Sequence, residues 1–510
     1  GIAGLVLPST SVFIGSMGFL AGTPRIKNGR GFGLFFGGHG FGGELVCSLG
    51  CLGRIGFAGP LRFPCFWTPA SCTDPCDVGA LADLVHQRWI SSTRWGCVVV
   101  VEGSKEMEGA MIWFLGLVFG VFLLFYRSML VFFAKGWQKA VDAEGHGPRL
   151  DLHESLAWGS IHQAEEAQPW VTVLVAARNE TQRMGSLLRA LMEQQTDFVW
   201  ELLWIDDQST DESVEQARNF LEQFSKVPFR VLERDGTDGF PSHKKGAIAY
   251  GVQQARGRWV LVTDADCVPG PEWIRTMIAK AKSREDLVFV AGPVRLSPAN
   301  TLWERSQALE FMSLNAIAAS TLSQGRPVIS NGGNMAFDRR AFLETAPYDS
   351  NWKHPGGDDD LLMHQFSRLK GPSALTFCLD RQAMVDTPPL GSFRDFLAQR
   401  IRWISKQGAY PDPVVALILK GVWFMHALLL GTLVAGVLQG QYGLLAMALG
   451  TWGLKAWMDG HYTRTVAGFY ERSAHWGLLL WTQLWYLPYT LGAGLAGYRG
   501  KFTWKGRNYG

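Results

Sequence analysis

At 510 residues and 47% apolar side chains, the chain is long enough for two or more domains and has ample material for a core. Its net charge of +3, with no concentrated basic run in the central region, argues against a nucleic-acid binder. The 21 Trp and 31 Phe gather in long apolar stretches near both ends of a polar middle, which points to a membrane protein.

Residues 1–106 read as an irregular leader. Glycine is dense there (Gly31, Gly33, Gly37, Gly38, Gly40), and neither a helical nor a strand period persists. The chain opens with Gly1, and Met107 and Met111 precede the first strong apolar run, so the working protein is expected to begin at one of them. Cys47, Cys51, Cys65, Cys72, Cys76 and Cys97 all fall in this leader, and a zinc site there matches no standard spacing closely. Only Cys267 and Cys378 serve the rest, as in a reduced, cytosol-facing protein without a disulfide framework.

Residues 107–133 are expected to form an N-terminal transmembrane helix. The uninterrupted apolar run at 111–126 falls slightly short of the roughly 20 residues a bilayer needs, so Arg127 is expected to reach the interface. Lys135 and Lys139 follow and place that side in the cytoplasm. Residues 134–168 are read as a linker, or as a helix lying along the membrane surface.

From residue 169 the pattern alternates between strand and helix. A strand at 171–177 ends in Arg178-Asn179-Glu180, and a helix follows to about residue 194. A second strand at 202–205 ends in Asp206-Asp207, with Ser209, Thr210 and Asp211 as candidate caps of the helix running to about Phe224. A short strand at 229–232 comes next, and His243-Lys244-Lys245 opens another helix. The apolar strand at 259–262 then runs into Asp264 and Asp266. This order predicts an α/β domain with a mainly parallel, doubly wound sheet. Ligands bind at the carboxyl ends of such strands, and two carboxylates one residue apart can hold Mg²⁺ or Mn²⁺ through oxygen, although an Asp-x-Asp pair alone could cap a turn.

Beyond this pair a strand is expected at 287–291 and a helix at 303–322. Asn331-Gly332-Gly333-Asn334 then offers backbone that can approach a bound ligand closely, or a plain tight turn. Asp358, Asp359 and Asp360 supply further carboxylates. Gln399-Arg400-Ile401-Arg402-Trp403 sets Gln399, Arg402 and Trp403 on one helical face. There Arg402 can neutralise anionic charge, and Trp403 offers a flat apolar wall. Residues 411–498 hold transmembrane segments, at 421–437, 442–454 and 476–498, the last interrupted by Pro488. Lys455, Arg464 and Arg472 suit a cytosolic loop. Three spans would leave the basic tail, residues 499–510, outside, so either one segment is re-entrant or interfacial, or 476–498 folds back on itself.

Over about residues 170–405 the order of motifs resembles the family 2 glycosyltransferases, and Gln-x-x-Arg-Trp is similar to their membrane-embedded members, the cellulose, chitin and hyaluronan synthases and ceramide glucosyltransferases. The resemblance implies a GT-A fold, the nucleotide-diphospho-sugar transferase domain, at 169–410. It implies a nucleotide pocket lined by Ala177, Asn179, Glu180, Asp206, Asp207 and Lys244, with Asp264 and Asp266 holding the metal on the diphosphate. It also puts Asn331, Gly332 and Gly333 on the acceptor side with Gln399 and Trp403, and makes Asp359 the base, with Asp358 the rival if the register slips by one. The expectation is an inverting transferase using a nucleotide sugar, read as UDP-linked, and a lipid or glycan acceptor. It would sit in the membrane, taken as the cell inner membrane, with its catalytic domain in the cytosol and no nucleic acid as partner. Protein partners are unknown. A processive polysaccharide synthase, a silent membrane scaffold on the same fold and a nucleotidyltransferase are the alternatives.

Overall fold

A computed structural model describes residues 45–46, 54–55, 105–146, 169–405 apart from 242, 353 and 355, 413–498, 502–505 and 507–509. Most of the expected leader, its cysteines and the linker from residue 147 to 168 therefore lie outside the described residues. The chain divides into two units, residues 1–110 and 111–510. In the first, β1 (Leu45–Val46) pairs antiparallel with β2 (Arg54–Ile55).

Helix α1 (Lys105–His146) runs unbroken through Arg127, Lys135 and Lys139, so the helix expected at 107–133 continues into the segment read as a linker or a surface helix. Nothing between Arg127 and Lys139 breaks a helix: there is no Pro, and the one glycine of those residues, Gly136, packs against the backbone of Ser320.

The central sheet follows the predicted alternation: β3 (Val171–Ala177), α2 (Met184–Met192), β4 (Trp200–Asp206), α3 (Ser213–Phe224), β5 (Phe229–Glu233), α4 (Lys244–Gln254), β6 (Trp259–Asp264). After β7 (Val268–Pro269) and α5 (Trp273–Lys282) come β8 (Phe289–Ala291), β9 (Val294–Leu296), α6 (Leu302–Ser323), β10 (Met335–Asp338), α7 (Arg339–Thr345) and α8 (Asp360–Lys370). The domain closes with β11 (Leu375–Phe377), β12 (Val385–Thr387) and α9 (Phe393–Ser405).

Seven strands pair in the order β11-β8-β10-β6-β3-β4-β5, and only β10 runs antiparallel to its neighbours. Val171, Val173 and Val175 of β3 face one core, with Leu202 and Trp204 of β4 and Trp259 and Leu261 of β6. Leu174, Leu203, Ile205, Val260 and Val262 face the other. Helices α2, α3 and α5 cover the first face, while α4, α6 and α8 cover the second. Burial on both sides explains why the strands read as unbroken apolar runs. The expected caps of α3 are replaced: Asp211 accepts from the amide of Ser213 without standing at the N-cap position, which Glu212 fills.

Three long helices follow: α10 (Pro413–Gln439), α11 (Tyr442–Ala467) and α12 (Trp476–Tyr498). Two corrections arise here. Helix α11 continues past residue 454 through Lys455 and Arg464, because Lys455 pairs inside the bundle with Asp459, one turn on, at 2.7 Å. Asp459 also accepts from Tyr126 of α1 at 2.5 Å and Gln483 of α12 at 2.8 Å. Helix α12 is continuous through Pro488 and does not fold back on itself. Among the described residues, two helices are long and apolar enough to cross a membrane, Gly109–Glu144 and Val415–Gln439. They expose large apolar side chains such as Trp113, Leu117, Leu417 and Leu438, surface that lipid would cover. The tail forms a hairpin of β13 (Phe502–Trp504) and β14 (Arg507–Tyr509).

Candidate active site

The site is assembled at the carboxyl ends of β3, β4 and β6, which parallel pairing brings level. Ala177 lies opposite Asp206, and Ala176 opposite Asp264. Asn179 follows β3 with φ 52°, a left-handed conformation that Asn tolerates better than most residues. Its carboxamide oxygen accepts from the amide of Thr210 at 2.8 Å, tying the β3 and β4 loops together.

A cavity of about 1510 Å³ opens here, and most of the expected site residues line it: Ala177, Glu180, Asp207, Lys244, Asp264 and Asp266 from the strand ends. On its other walls stand Asn331, Gly332, Asp358, Asp359, Gln399, Arg402 and Trp403. Three expected residues do not reach it. Asn179 is spent on its loop. Asp206 is buried, one carboxylate oxygen accepting from the amide of Ser209 at 2.9 Å. Gly333 supports from behind, its carbonyl accepting from the Thr263 hydroxyl at 2.9 Å.

Lys244 joins the two halves of the site. Its ammonium is 2.5 Å from an Asp264 carboxylate oxygen and 2.7 Å from one of Asp358. Burial alone would lower its pKa, but Asp264 and Asp358 outweigh that and hold it above the ordinary lysine value. Gly332 leaves room for this junction: a Cβ there would lie 2.7 Å from an Asp358 carboxylate oxygen and 2.9 Å from the Lys244 nitrogen, so one of the two side chains would have to shift.

The three consecutive aspartates divide their work. Asp358 faces Lys244. Asp359 accepts from the amides of Asp360 at 2.7 Å and Gly332 at 3.1 Å, at the N-cap of α8. Asp360 is buried and accepts from the amide of Ser330 at 2.7 Å.

Side-chain ligand atoms of Asp264, Asp266 and Cys267 come within 4.8 Å of one another. Burial, then the two neighbouring carboxylates, pushes the Cys267 thiol well up, while Asp264 and Asp266 supply a pair of hard oxygen donors. Asp266 is likewise raised, by burial and by Asp264. A divalent cation fits such a pair, because it relieves the repulsion between them.

Besides Arg178, which belongs to the strand end expected along the nucleotide pocket, the site holds cations that the sequence did not single out: Arg183, Lys505 and Arg507. Arg178 donates to the carbonyl of Asp207 at 2.7 Å, and Arg183 lies 3.8 Å from Asp266. The tail hairpin brings Lys505 onto the Glu180 carboxylate and Arg507 onto Asp207 and Gln208. Burial raises the pKa of Glu180 and of Asp207, against the opposing pull of these cations. The run of basic residues in the tail was a signal, but sequence alone cannot bring it to partners some 300 positions earlier. Arg400 was passed over as a filler position of the Gln-x-x-Arg-Trp stretch.

Residues 172–345 match the family model described as "Glycosyl transferase family 2", and residues 259–496 match "Glycosyl transferase family group 2". Among curated proteins, the dolichyl-phosphate beta-glucosyltransferase of Drosophila melanogaster is 35% identical over 126 residues, 23% of this chain and 37% of the relative. The dodecaprenyl-phosphate galacturonate synthase of Rhizobium johnstonii is 27% identical over 117 residues, 22% of this chain and 33% of the relative. The chain thus spans about a third of the length of these relatives. A mannosyltransferase from Pyrobaculum calidifontis, solved with GDP-Man and Mn²⁺, aligns at TM-score 0.39 and 18% identity, over 71% of this chain and 99% of its own.

Proposed function

We propose, from the premise that this chain carries a family 2 glycosyltransferase domain of GT-A fold, that it moves a sugar from a nucleotide-activated donor to a lipid or lipid-linked acceptor. The donor is read as UDP-linked, and the transfer inverts the anomeric centre at the cytosolic membrane face. One observation carries the reading. The cavity lined by Asp264, Asp266 and Lys244 at the strand ends is lined as well by α10 and α12, through Leu419, Trp423, Tyr489 and Leu495. A polar donor and a lipid acceptor can therefore meet inside it.

Asp264 and Asp266 would hold Mg²⁺ or Mn²⁺, which supplies charge neutralisation to the donor's diphosphate. The remaining tasks belong to the chain. Lys244 and Arg402 neutralise the departing phosphate oxygens. A carboxylate takes the proton of the attacking hydroxyl, a contribution of about 10²–10⁴ in rate. The geometry favours Asp358 over Asp359 for this role, since Asp359 is engaged by two amides whereas Asp358 faces Lys244 across the cavity. Once Lys244 turns to the donor's diphosphate, Asp358 is released to act as base.

Membranes containing the protein, incubated with a panel of labelled nucleotide sugars, test the reading. Label should enter the lipid extract from one donor, and chelator should prevent it.

A further inference from the structure

One face of α6 holds α9 in place along its length. Gln307, Glu310 and Phe311, spaced three and four residues apart, share that face and line the cavity. Gln307 is 2% exposed, and its carboxamide serves both backbone groups of Leu390. Its Nε2 donates to the Leu390 carbonyl at 2.8 Å, and the Leu390 amide donates to its Oε1 at 3.2 Å. The indole of Trp303, one turn earlier on α6, donates to the same carbonyl at 3.1 Å. Leu390 stands three residues ahead of α9, so these bonds fix where that helix begins. Pro388 and Pro389 have no amide hydrogen, and Leu390 is the first residue after them that offers one.

Farther along α9, one oxygen of Glu310 accepts from Arg400, and the other accepts from the Tyr489 hydroxyl of α12. Phe396 and Trp403 enclose Arg400, their ring centres 4.6 and 4.2 Å from its guanidinium carbon, so its charge serves the packing of α9. The ring of Phe311 lies 6.1 Å from that of Trp403.

The opposite side of α6 is tied down. Met312, Ala316 and Ala319 belong to the core that holds Val262 of β6 and Phe289 of β8. The Asn315 carboxamide accepts from the amide of Val294 at 3.2 Å, and the Ser323 hydroxyl donates to the carbonyl of Gly136 in α1 at 2.6 Å. Helix α6 is thus a fixed frame between the strand that ends in Asp264 and the helix that carries Gln399, Arg402 and Trp403. A shift of about 1 Å between groups that must meet in a transition state costs roughly a hundredfold in rate. Without their partners on α6, the Leu390 backbone and the Arg400 guanidinium would turn to others, and α9 would move with them.

We infer that Gln307 and Glu310 are positioning residues for the transfer. Acting through Leu390 and Arg400, they set the place of α9 against a donor held at the strand ends. The inference rests on the glycosyltransferase reading above.

The test uses the purified full chain in detergent, the labelled donor that a panel of nucleotide sugars selects, and a total lipid extract as acceptor. Initial rates give kcat and the donor KM, and titration calorimetry gives the affinity for the donor's nucleoside diphosphate with Mn²⁺. Gln307→Leu keeps the side-chain volume and loses both bonds to Leu390. It should lower kcat by about ten- to a hundredfold, while the donor KM and the nucleotide affinity stay within a fewfold. Glu310→Gln keeps an acceptor for Arg400 and should lose less than Glu310→Ala, a comparison that also serves if Gln307→Leu does not fold. Ser306→Ala, on the same helix but away from the cavity, should leave the rate near wild type. The inference is overturned by a wild-type rate in folded Gln307→Leu and Glu310→Ala, by an equal loss of nucleotide affinity, or by a fall as large in Ser306→Ala. A panel that selects no donor for the wild type overturns the glycosyltransferase reading, and this inference with it.

Discussion

The ammonium of Lys505 rests on the carboxylate of Glu180, 325 residues earlier in the chain, so that the tail hairpin closes over the loop that follows β3. Glu180 is nearly buried, and its burial, which raises its pKa, is opposed by Lys505. Removing the cation leaves a buried carboxylate whose cost is felt only when it ionises. Lys505→Ala should therefore lower the melting temperature by several degrees at pH 8 and by less at pH 5, where the unpaired carboxyl takes up a proton. Melting curves at the two pH values check this; an equal loss at both would contradict it.

The division of labour among the three aspartates predicts unequal variants. Asp358→Asn should cut transfer by about 10²–10⁴ while leaving UDP–Mn²⁺ affinity within a fewfold, because a base is lost and not a donor contact. Asp359→Asn keeps an acceptor at the start of α8 and should cost roughly tenfold or less in rate and under about 1 kcal/mol in stability. Initial rates beside titration calorimetry separate the two. The reverse order of effects would return the base to Asp359.

A single methyl group tests how tightly the junction is built. In Gly332→Ala the new carbon falls within contact distance of both Asp358 and Lys244, and one of them must move. A displacement of this size at reacting groups lowers the rate by roughly a hundredfold. Circular dichroism should show an unchanged fold. A rate near wild type would mean that Asp358 and Lys244 are not held in their observed places.

His243 caps α4, its ring accepting from the amide of Gly246, and burial together with the cation of Lys245 pushes its pKa down to about 4. The unfolded chain takes up that proton at about 6.5. The contribution of the neutral ring to stability is thus complete above pH 6.5 and is lost progressively as the pH falls towards 4. His243→Asn keeps a capping oxygen without the titration, so its melting temperature should fall less steeply between pH 6.5 and 4 than that of the wild type. Parallel acid limbs in the two proteins would assign the loss to other groups.

The strand-and-helix order was readable because both faces of the sheet are buried, which writes each strand as an apolar run closed by polar residues. The run at 171–177 and the Asp264–Asp266 pair stand where expected. Two kinds of feature were hidden. Charges paired inside a bundle look like loop charges in sequence: Lys455 and Arg464 marked an expected loop that is helix, because Lys455 finds its partner in Asp459, which also accepts from Tyr126 and Gln483. Contacts of long range leave no periodic trace, as with Lys505 on Glu180 and Arg400 on Glu310. Three consecutive aspartates are alike on paper, and only the backbone path of the α8 start turns Asp358 to Lys244 and Asp359 to the amides.

The central claim is that Asp264 and Asp266 hold a metal-bridged sugar donor at one end of a cavity whose other end admits a lipid. Its most direct measurement is label transfer from nucleotide sugars into the lipid extract of membranes carrying wild-type protein or Asp266→Asn, with Mn²⁺ or with chelator. The account predicts transfer from one donor by the wild type with Mn²⁺, falling to background with chelator and in Asp266→Asn. Transfer that is indifferent to chelator and to this substitution, or no transfer from any donor, would contradict it.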